Sequence, residues 1–220
     1  MITNLSLIEK KALKLGKTVI GCDECNVCSY VGPVIVAAVK ISLKNKKLIP
    51  VNDSKKLSET QIKEIAKKIK QNYEWVVKEV SLKDVDNHRL LIGEYKVIKK
   101  LVSQLKANVL LIDYHSIPEL TNVWQIGIKN GDELCWSIAA ASIIAKDYWN
   151  KWCYRFNEKY PEYKVNKNKG SFCSQLFNLT LKYGITKYHR VNWIKSACLR
   201  KGLSLNLVKY RKYFKPDNPF

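Results

Sequence analysis

Four acidic residues lie where a folded chain could use them for chemistry. Asp23 and Glu24 are adjacent and stand between two apolar runs, and Asp113 ends another apolar run. Asp132 follows a further short strand pattern, in a turn that begins at Asn130. Since functional sites gather at the strand ends of an α/β sheet, these side chains are expected to lie at one edge of a sheet.

Carboxylates that converge without an arginine or lysine repel one another, and a bound cation relieves that repulsion. Hard oxygen ligands suit Mg²⁺ or Mn²⁺. Two such ions, about 4 Å apart, can hold the attacking and leaving oxygens of a phosphate ester. The acidic residues therefore favour a nuclease site, and the alternative is that they form turns and solvated caps.

The first acidic pair lies inside a cysteine motif, Cys22-x2-Cys25-x2-Cys28. The spacing is typical of iron–sulfur ligands, but the usual fourth cysteine followed by proline is absent. A zinc site would need a fourth ligand from a distant cysteine or histidine. Because Cys22 points to the strand face opposite Asp23, we interpret the cysteines as buried or loop thiols, with an iron–sulfur or zinc protein as the outside alternative.

The composition indicates a folded domain with a polyanionic partner. The chain has 220 residues, of which 46% are hydrophobic, enough for one domain with a substantial core. Its 39 Lys and Arg residues exceed its 19 Asp and Glu residues, which gives a formal net charge of +20. Nucleic acid is the first candidate for a partner. A lysine-rich composition inherited from a biased genome is the alternative explanation.

The N-terminus, the apolar runs and the cysteines predict the cellular location of the protein. The N-terminus lacks the basic start and apolar core of a signal peptide, and no apolar run approaches the ~20 residues of a membrane span. The seven cysteines cannot all pair within the chain, and in a reducing compartment they remain thiols. We expect a cytoplasmic monomer with no membrane partner.

Apolar periodicity predicts alternating strands and helices, the pattern of an α/β fold. Strands are predicted at residues 17–24, 31–43, 73–81, 108–113 and 124–129, of which the first two are close enough to pair as a hairpin. Helices are predicted at residues 4–16, 61–70, 85–105, 137–149 and 174–183. A basic helical pattern also runs from residue 151 to a break at residues 160–163. The predicted organisation is an N-terminal helix at 1–16, one domain at 17–198 that includes a helical C-terminal part, and a basic tail at 199–220.

Several short blocks of the sequence together carry a resemblance to a known family. They are Asp23-Glu24, Asp53-Ser-Lys-Lys-Leu-Ser58, Leu110-Leu-Ile-Asp113, Lys129-Asn-Gly-Asp132, Ser137-Ile-Ala-Ala-Ala-Ser-Ile-Ile-Ala-Lys146, Asn168-Lys-Gly170 and His189-Arg190. In this order they resemble the type 2 ribonuclease H family (ribonucleases HII and HIII), over residues 17–195. The resemblance implies an RNase H-like fold, in which a mixed central sheet is flanked by helices, with a helical C-terminal extension.

The resemblance also implies an activity and the residues that perform it. Members cleave the RNA strand of RNA/DNA hybrids, and many cut at single ribonucleotides in duplex DNA. A metal-activated water would attack the phosphorus in line, and a second Mg²⁺ or Mn²⁺ ion would stabilise the leaving 3′-oxygen. The family's four catalytic acids, its metal ligands, match Asp23, Glu24, Asp113 and Asp132. Positions that match contacts to the nucleic acid are Ser54, Lys55, Lys56, Lys146, Lys169 and Arg190.

The sequence departs from the family at two places that recognise the substrate. After the acidic pair the family has a glycine-rich turn whose backbone approaches the ribose 2′-hydroxyl, and here Asn26-Val27-Cys28 takes that position. Asn26 is expected to substitute in part, because asparagine tolerates a left-handed φ and donates hydrogen bonds. A Gly-Tyr-Gly further on is Gly170-Ser-Phe172, so that Phe172 would stack one position later. The competing hypothesis is a degenerate member that binds hybrid or duplex nucleic acid with little or no cleavage.

Overall fold

A computed structural model describes residues 1–45, 48–113, 116–118 and 120–210. Five strands form one mixed sheet in the order β3-β2-β1-β4-β5. They are β1 (Val19–Cys25), β2 (Val34–Ile41), β3 (Glu74–Val80), β4 (Val109–Asp113) and β5 (Trp124–Ile128). The predicted hairpin is confirmed, because β1 and β2 pair antiparallel. Strand β4 is parallel to both β1 and β5, so the carboxyl ends of these three strands meet at one edge of the sheet.

Helices cover both faces of the sheet and form the C-terminal part, as the predicted fold class requires. They are α1 (Leu7–Lys14), α2 (Glu59–Asn72), α3 (Leu82–Asp86), α4 (Leu90–Leu105), α5 (Gly131–Leu134), α6 (Trp136–Lys159), α7 (Val165–Asn168), α8 (Ser174–Tyr183) and α9 (Val191–Arg200). Short 3₁₀ turns lie at Ser54–Lys56, Pro161–Tyr163 and Leu205–Leu207. None of the helices within the described ranges combines the length and hydropathy that a membrane crossing requires.

The sheet separates two hydrophobic layers, and the alternation of side chains along β1 assigns each residue to one of them. Val19 packs in the layer that contains α6, whereas Ile20 and Cys22 pack in the layer that contains α4. Helix α6 approaches β1 so closely that a β-carbon on Gly21 would lie 2.2 Å from the carbonyl carbon of Ser137. The same alternation directs Asp23 toward the α6 layer and Glu24 toward the α4 layer.

The N-terminus of α6 is capped by a side chain from α1. Glu9 is fully buried, and its Oε1 accepts hydrogen bonds from the Ser137 N–H at 2.8 Å and the Ser137 hydroxyl at 2.7 Å. Its Oε2 accepts from the Trp136 N–H at 3.3 Å. These bonds satisfy donors that the first turn of a helix leaves without partners. Helix α1 is therefore packed into the domain.

Residues that follow the predicted end of the domain pack back against it. The predicted end of the domain at residue 198 falls inside α9, which continues to Arg200. The chain then returns to the domain, where the Ile185 N–H donates to the Lys209 carbonyl at 2.7 Å. The rest of the predicted basic tail, residues 211–220, lies outside the described residues.

Candidate active site

The four acidic residues lie at one edge of the sheet, where their positions at strand ends predicted them. Asp23 and Glu24 lie just before the last residue of β1, and Asp113 ends the neighbouring parallel strand β4. Cys22 pairs with Ile112, so the next residues of the two strands, Asp23 and Asp113, lie side by side along the sheet. Asp132 lies in α5, which a short turn at Asn130 connects to the end of β5. Helix α5 is joined to the end of β4 by a hydrogen bond from the Gly131 N–H to Asp113 Oδ1 at 3.1 Å.

These carboxyl groups are close enough to change one another's ionisation. Burial, and then the charge of Glu24, raise the pKa of Asp23 well above its ordinary value, and a hydrogen bond with Ser142 opposes the rise. Burial, and then the charge of Asp113, raise the pKa of Glu24. Asp132 raises both pKa values further. The edge of the sheet is therefore a site of concentrated negative charge that a cation would stabilise.

The donor set suits a hard divalent cation, since it consists of carboxylate oxygens alone. As the side chains stand, however, no group of three or more His, Cys, Asp or Glu residues in the described part of the chain could hold a metal ion. One positive charge already lies among the acids, because Lys55 Nζ donates to Asp132 Oδ2 at 3.2 Å. The residues therefore fit the ion in chemistry and charge, and ligation requires side-chain movement.

The block at residues 53–58 packs beside the acids. Asp53 accepts a hydrogen bond from the Lys55 N–H at 2.9 Å and so caps the turn that carries Ser54. The Ser54 hydroxyl lies 2.9 Å from that of Ser142, which in turn bonds Asp23. Ser54 and Lys55 are thus connected to the acidic cluster at two different carboxylates.

Lys56 makes a different contact from its neighbour. Its Nζ donates to Glu133 Oε1 at 3.1 Å and lies 3.7 Å from Asp53 Oδ2. Glu133 lies beside Asp132 in sequence but is 48% exposed. Pairs as exposed as this contribute little to stability, so Lys56 can leave Glu133 at small cost.

The turn that replaces the glycine-rich segment is built on Asn26. This residue has a left-handed φ of 66°, as expected for asparagine at a glycine position. Its Nδ2 donates to the carbonyls of Val31 at 3.1 Å and Pro33 at 2.8 Å. Val27 packs against the layer that contains α4, and Cys28 is exposed. A side chain thus performs the folding role that glycine would have in this turn.

Arg190 supports this turn from beneath, which corrects its assignment as a contact to nucleic acid. The residue is fully buried, and its guanidinium donates to the carbonyls of Asn26 and Val27 at 2.6 Å each. Its Nε donates to the Gly32 carbonyl at 2.9 Å. Burial lowers the pKa of Arg190 to about 10, which leaves it charged at neutral pH. A guanidinium engaged by three carbonyls is a structural group.

The other residues predicted to contact nucleic acid, Lys146, Lys169 and Phe172, each have different neighbours in the structure. Lys169 Nζ lies 2.7 Å from Glu59 Oε1 and 4.8 Å from the ring centre of Tyr154, so its charge is directed to α2 and α6. Phe172 is 39% exposed and stacks on Trp193, with ring centres 5.2 Å apart. Lys146 is half-buried near Cys25, where its charge opposes the rise in pKa of that thiol.

The three cysteines of the motif do not converge. Cys22 is buried in the layer that contains α4, where burial raises the pKa of its thiol. Cys25 faces the other layer, and its Sγ donates to the Ala145 carbonyl at 3.3 Å. Cys28 is exposed in the turn. This placement agrees with the interpretation as buried and loop thiols.

One acidic residue near the site is absent from the sequence prediction. Glu94 in α4 is 7% exposed, and burial, followed by the charge of Glu24, raises its pKa to about 7. It occupies the apolar stripe of its helix, between Leu90 and the buried pair Val97 and Ile98. A glutamate at a core position of a helical pattern is the signal that could have identified it.

Comparisons with known sequences and structures show the family to which this chain belongs. The Ribonuclease HII family model matches residues 20–196. A ribonuclease HII of Clostridioides difficile is 34% identical over 199 residues, which cover 89% of this chain and 77% of that protein. The ribonuclease H2 structure from Pyrococcus horikoshii has a TM-score of 0.70 at 21% identity, covering 84% of this chain and 98% of that one. A Bst-RNase HIII structure in complex with Mn²⁺ has a TM-score of 0.58 at 18% identity, covering 76% of this chain and 61% of that one. The chain therefore belongs to the ribonuclease HII family and is a ribonuclease H.

Proposed function

We propose that this protein hydrolyses the RNA strand of RNA/DNA hybrids, with ribonucleotide-containing duplex DNA as a related substrate. The observation that carries the proposal is the meeting of Asp23, Glu24, Asp113 and Asp132 at one sheet edge, inside the segment that matches the family model. A purely nucleic-acid-binding member would not need this concentration of repelling charge beside a basic surface.

We infer that these four acids hold Mg²⁺ or Mn²⁺, two ions when substrate is present. When bound, the ions would supply an activated water and stabilise the leaving 3′-oxygen. The chain itself orients the carboxylates: the Ser142 hydroxyl bonds Asp23, and the Gly131 N–H bonds Asp113 at 3.1 Å. The RNase HIII structure that contains Mn²⁺ shares this fold. It supports the choice of metal.

The turn at residues 26–28 is the proposed reader of the ribose 2′-hydroxyl. Arg190 engages the carbonyls of Asn26 and Val27, which fixes the path of the turn. Within the described residues, the N–H groups of Val27 and Cys28 have no hydrogen-bond partner, so they are available to an acceptor such as the 2′-hydroxyl oxygen. The side chains of Ser54, Lys55, Lys56, Lys146, Lys169 and Phe172 are proposed contacts to phosphates and sugars.

The remaining proposals concern the cellular compartment, the oligomeric state and the domain bounds. The seven free cysteines support a reducing compartment, so we assign the protein to the cytoplasm. We retain a monomer as the expected state. Residues 17–198 are proposed as the catalytic domain, with the N-terminal helix packed against it and a basic tail from residue 199.

A cleavage assay tests the proposal. Wild type is incubated with a labelled RNA/DNA hybrid, the matching single-stranded RNA and the matching DNA duplex, in Mg²⁺ or Mn²⁺. We expect cutting of the RNA strand in the hybrid alone. Asp113→Asn should lower the rate by about 100-fold or more, because it removes a charge from the metal site, while hybrid binding persists.

Glu133→Gln is the matched control, since it removes an exposed acid beside Asp132 and should change the rate by less than about threefold. If wild type binds the hybrid and cuts it no faster than Asp113→Asn, the enzyme proposal fails and the protein is a binding module.

A further inference from the structure

Glu94 has a position that a glutamate rarely occupies. It lies on α4 between Leu90 and Ile98, in the stripe that packs on the sheet. Glu24 projects from β1 toward the same layer, because Ile20 and Cys22, four and two residues before it, are both buried there. The charge of Glu24 acts on Glu94, which agrees with this placement. Both side chains therefore enter the same layer, on the α4 side of the sheet.

The Glu94 carboxyl has no partner to compensate its burial. In the part of the chain that the structure describes, it has neither a hydrogen bond nor a salt bridge, and the residue is only 7% exposed. A buried carboxylate without a partner destabilises the fold, and a neutral side chain of the same shape would avoid that cost. Such a residue is typical of a functional site, where a group that lowers the stability of the fold is retained because the activity needs it.

We propose that Glu94 is a positioning residue of the active site, a fifth acidic group whose negative charge strengthens the binding of a divalent cation at Glu24. This inference rests on the proposed metal-dependent function. The ligand class is a hard divalent cation, because the groups that face it are carboxylates. A cation at Glu24 would also relieve the repulsion between Glu24 and Glu94, so that metal binding removes the cost of burying both.

Mn²⁺ titration by calorimetry, with the full chain and no nucleic acid, tests the inference. Glu94→Gln keeps the shape and removes the charge, and we expect it to weaken Mn²⁺ binding by about tenfold, as for one unit charge near the ion. Glu94→Asp should retain affinity within about threefold. Glu133→Gln, which removes an equal charge from an exposed position, is the matched control and should change affinity by less than about twofold.

A second readout separates this role from a structural one. In the absence of metal at pH 8, Glu94→Gln should unfold at the same temperature as wild type or a higher one, although it binds Mn²⁺ less tightly. Glu94→Met, which suits the apolar stripe, should behave in the same way if the Gln variant fails to fold. A purely structural Glu94 would instead lower the unfolding temperature when replaced and leave the Mn²⁺ affinity within about twofold of wild type.

The outcomes distinguish this inference from the proposed function. If wild type binds Mn²⁺, Asp113→Asn abolishes that binding and Glu94→Gln leaves it unchanged, the role of Glu94 is overturned and the proposed function stands. If wild type binds no Mn²⁺ in the absence or presence of hybrid, both are overturned.

Discussion

Asn26 and Arg190 together hold the turn that a glycine-rich segment would otherwise form. The Asn26 amide donates to two carbonyls further along the turn, and Arg190 donates to the carbonyls of Asn26 and Val27. The turn is therefore bonded on both sides, which leaves its N–H groups as the available donors. The loss of glycine at these positions is compensated by side-chain hydrogen bonds rather than by a different fold.

Substitution of Asn26 separates its two contributions. Asn26→Gly loses the amide bonds and keeps the left-handed backbone, so we expect the free energy of unfolding to fall by about 1–2 kcal/mol. Asn26→Ala loses the same bonds but keeps a β-carbon at a φ of 66°, so it should be about 1 kcal/mol less stable than Asn26→Gly. Urea denaturation measures both. Equal stability of the two variants would show that the left-handed conformation is not retained.

The raised pKa of Glu94 predicts the sign of a pH dependence of stability. Burial and the charge of Glu24 raise this pKa from 4.5 to about 7. The stability that comes with the bound proton is therefore fully present below pH 4.5 and is lost as the pH rises through 7. Glu94→Gln does not titrate, so its unfolding temperature without metal should match wild type near pH 5 and exceed it by about 5 °C at pH 8. A constant difference across this range would contradict the raised pKa.

At the scale of elements, the sequence predicts the sheet better than the ends of the long helix. The strands are recognisable because most of them are continuous apolar runs bounded by turn residues. Helix α6 was expected as an apolar helix that ends at residue 149 and a separate basic helical stretch from residue 151, but it is one helix that continues to Lys159. Its second half buries Trp152, Cys153 and Phe156 among basic residues, so the apolar stripe is narrow and the charged face dominates the pattern.

The candidate site shows the same limit. The four acids could be placed from strand ends alone, since the edge of a sheet follows from local pattern. The partners of Arg190 and Lys169 could not, because Arg190 meets the turn at residues 26–32 and Lys169 meets Glu59 only after the chain folds. The partners of such side chains are set by the tertiary structure. A sequence motif alone therefore does not distinguish a basic residue that contacts phosphate from one that bonds within the protein.

Glu9 connects α1 to the N-terminus of α6, and its removal should destabilise the protein. Glu9→Ala leaves the buried N–H groups of Trp136 and Ser137 without acceptors, for which we expect a loss of about 3 kcal/mol in the free energy of unfolding. Glu64→Ala, at an exposed position of α2, is the control and should change it by less than about 0.5 kcal/mol. Thermal unfolding checks both, and comparable stability of the two variants would exclude the capping role.

At the scale of the whole molecule, the charge of +20 predicts binding that depends strongly on salt. Hybrid affinity, measured with the Asp113→Asn variant, should fall by about 100-fold or more between 50 and 200 mM KCl, because phosphate contacts release counterions. Lys146→Met in that background should reduce the slope of log affinity against log salt by about 1. Lys67→Met, on the exposed face of α2, should leave the slope unchanged. Identical slopes for the two lysine variants would remove Lys146 from the binding surface.

The most direct measurement is the metal dependence of hybrid cleavage by wild type and Asp113→Asn. After removal of divalent ions with a chelator, wild type should not cut the RNA strand, and added Mg²⁺ or Mn²⁺ should restore cutting. Asp113→Asn should remain at least about 100-fold slower under the same conditions. Cleavage by wild type that persists without divalent ions, or equal recovery by the variant, would contradict a metal-dependent site built from these four carboxylates.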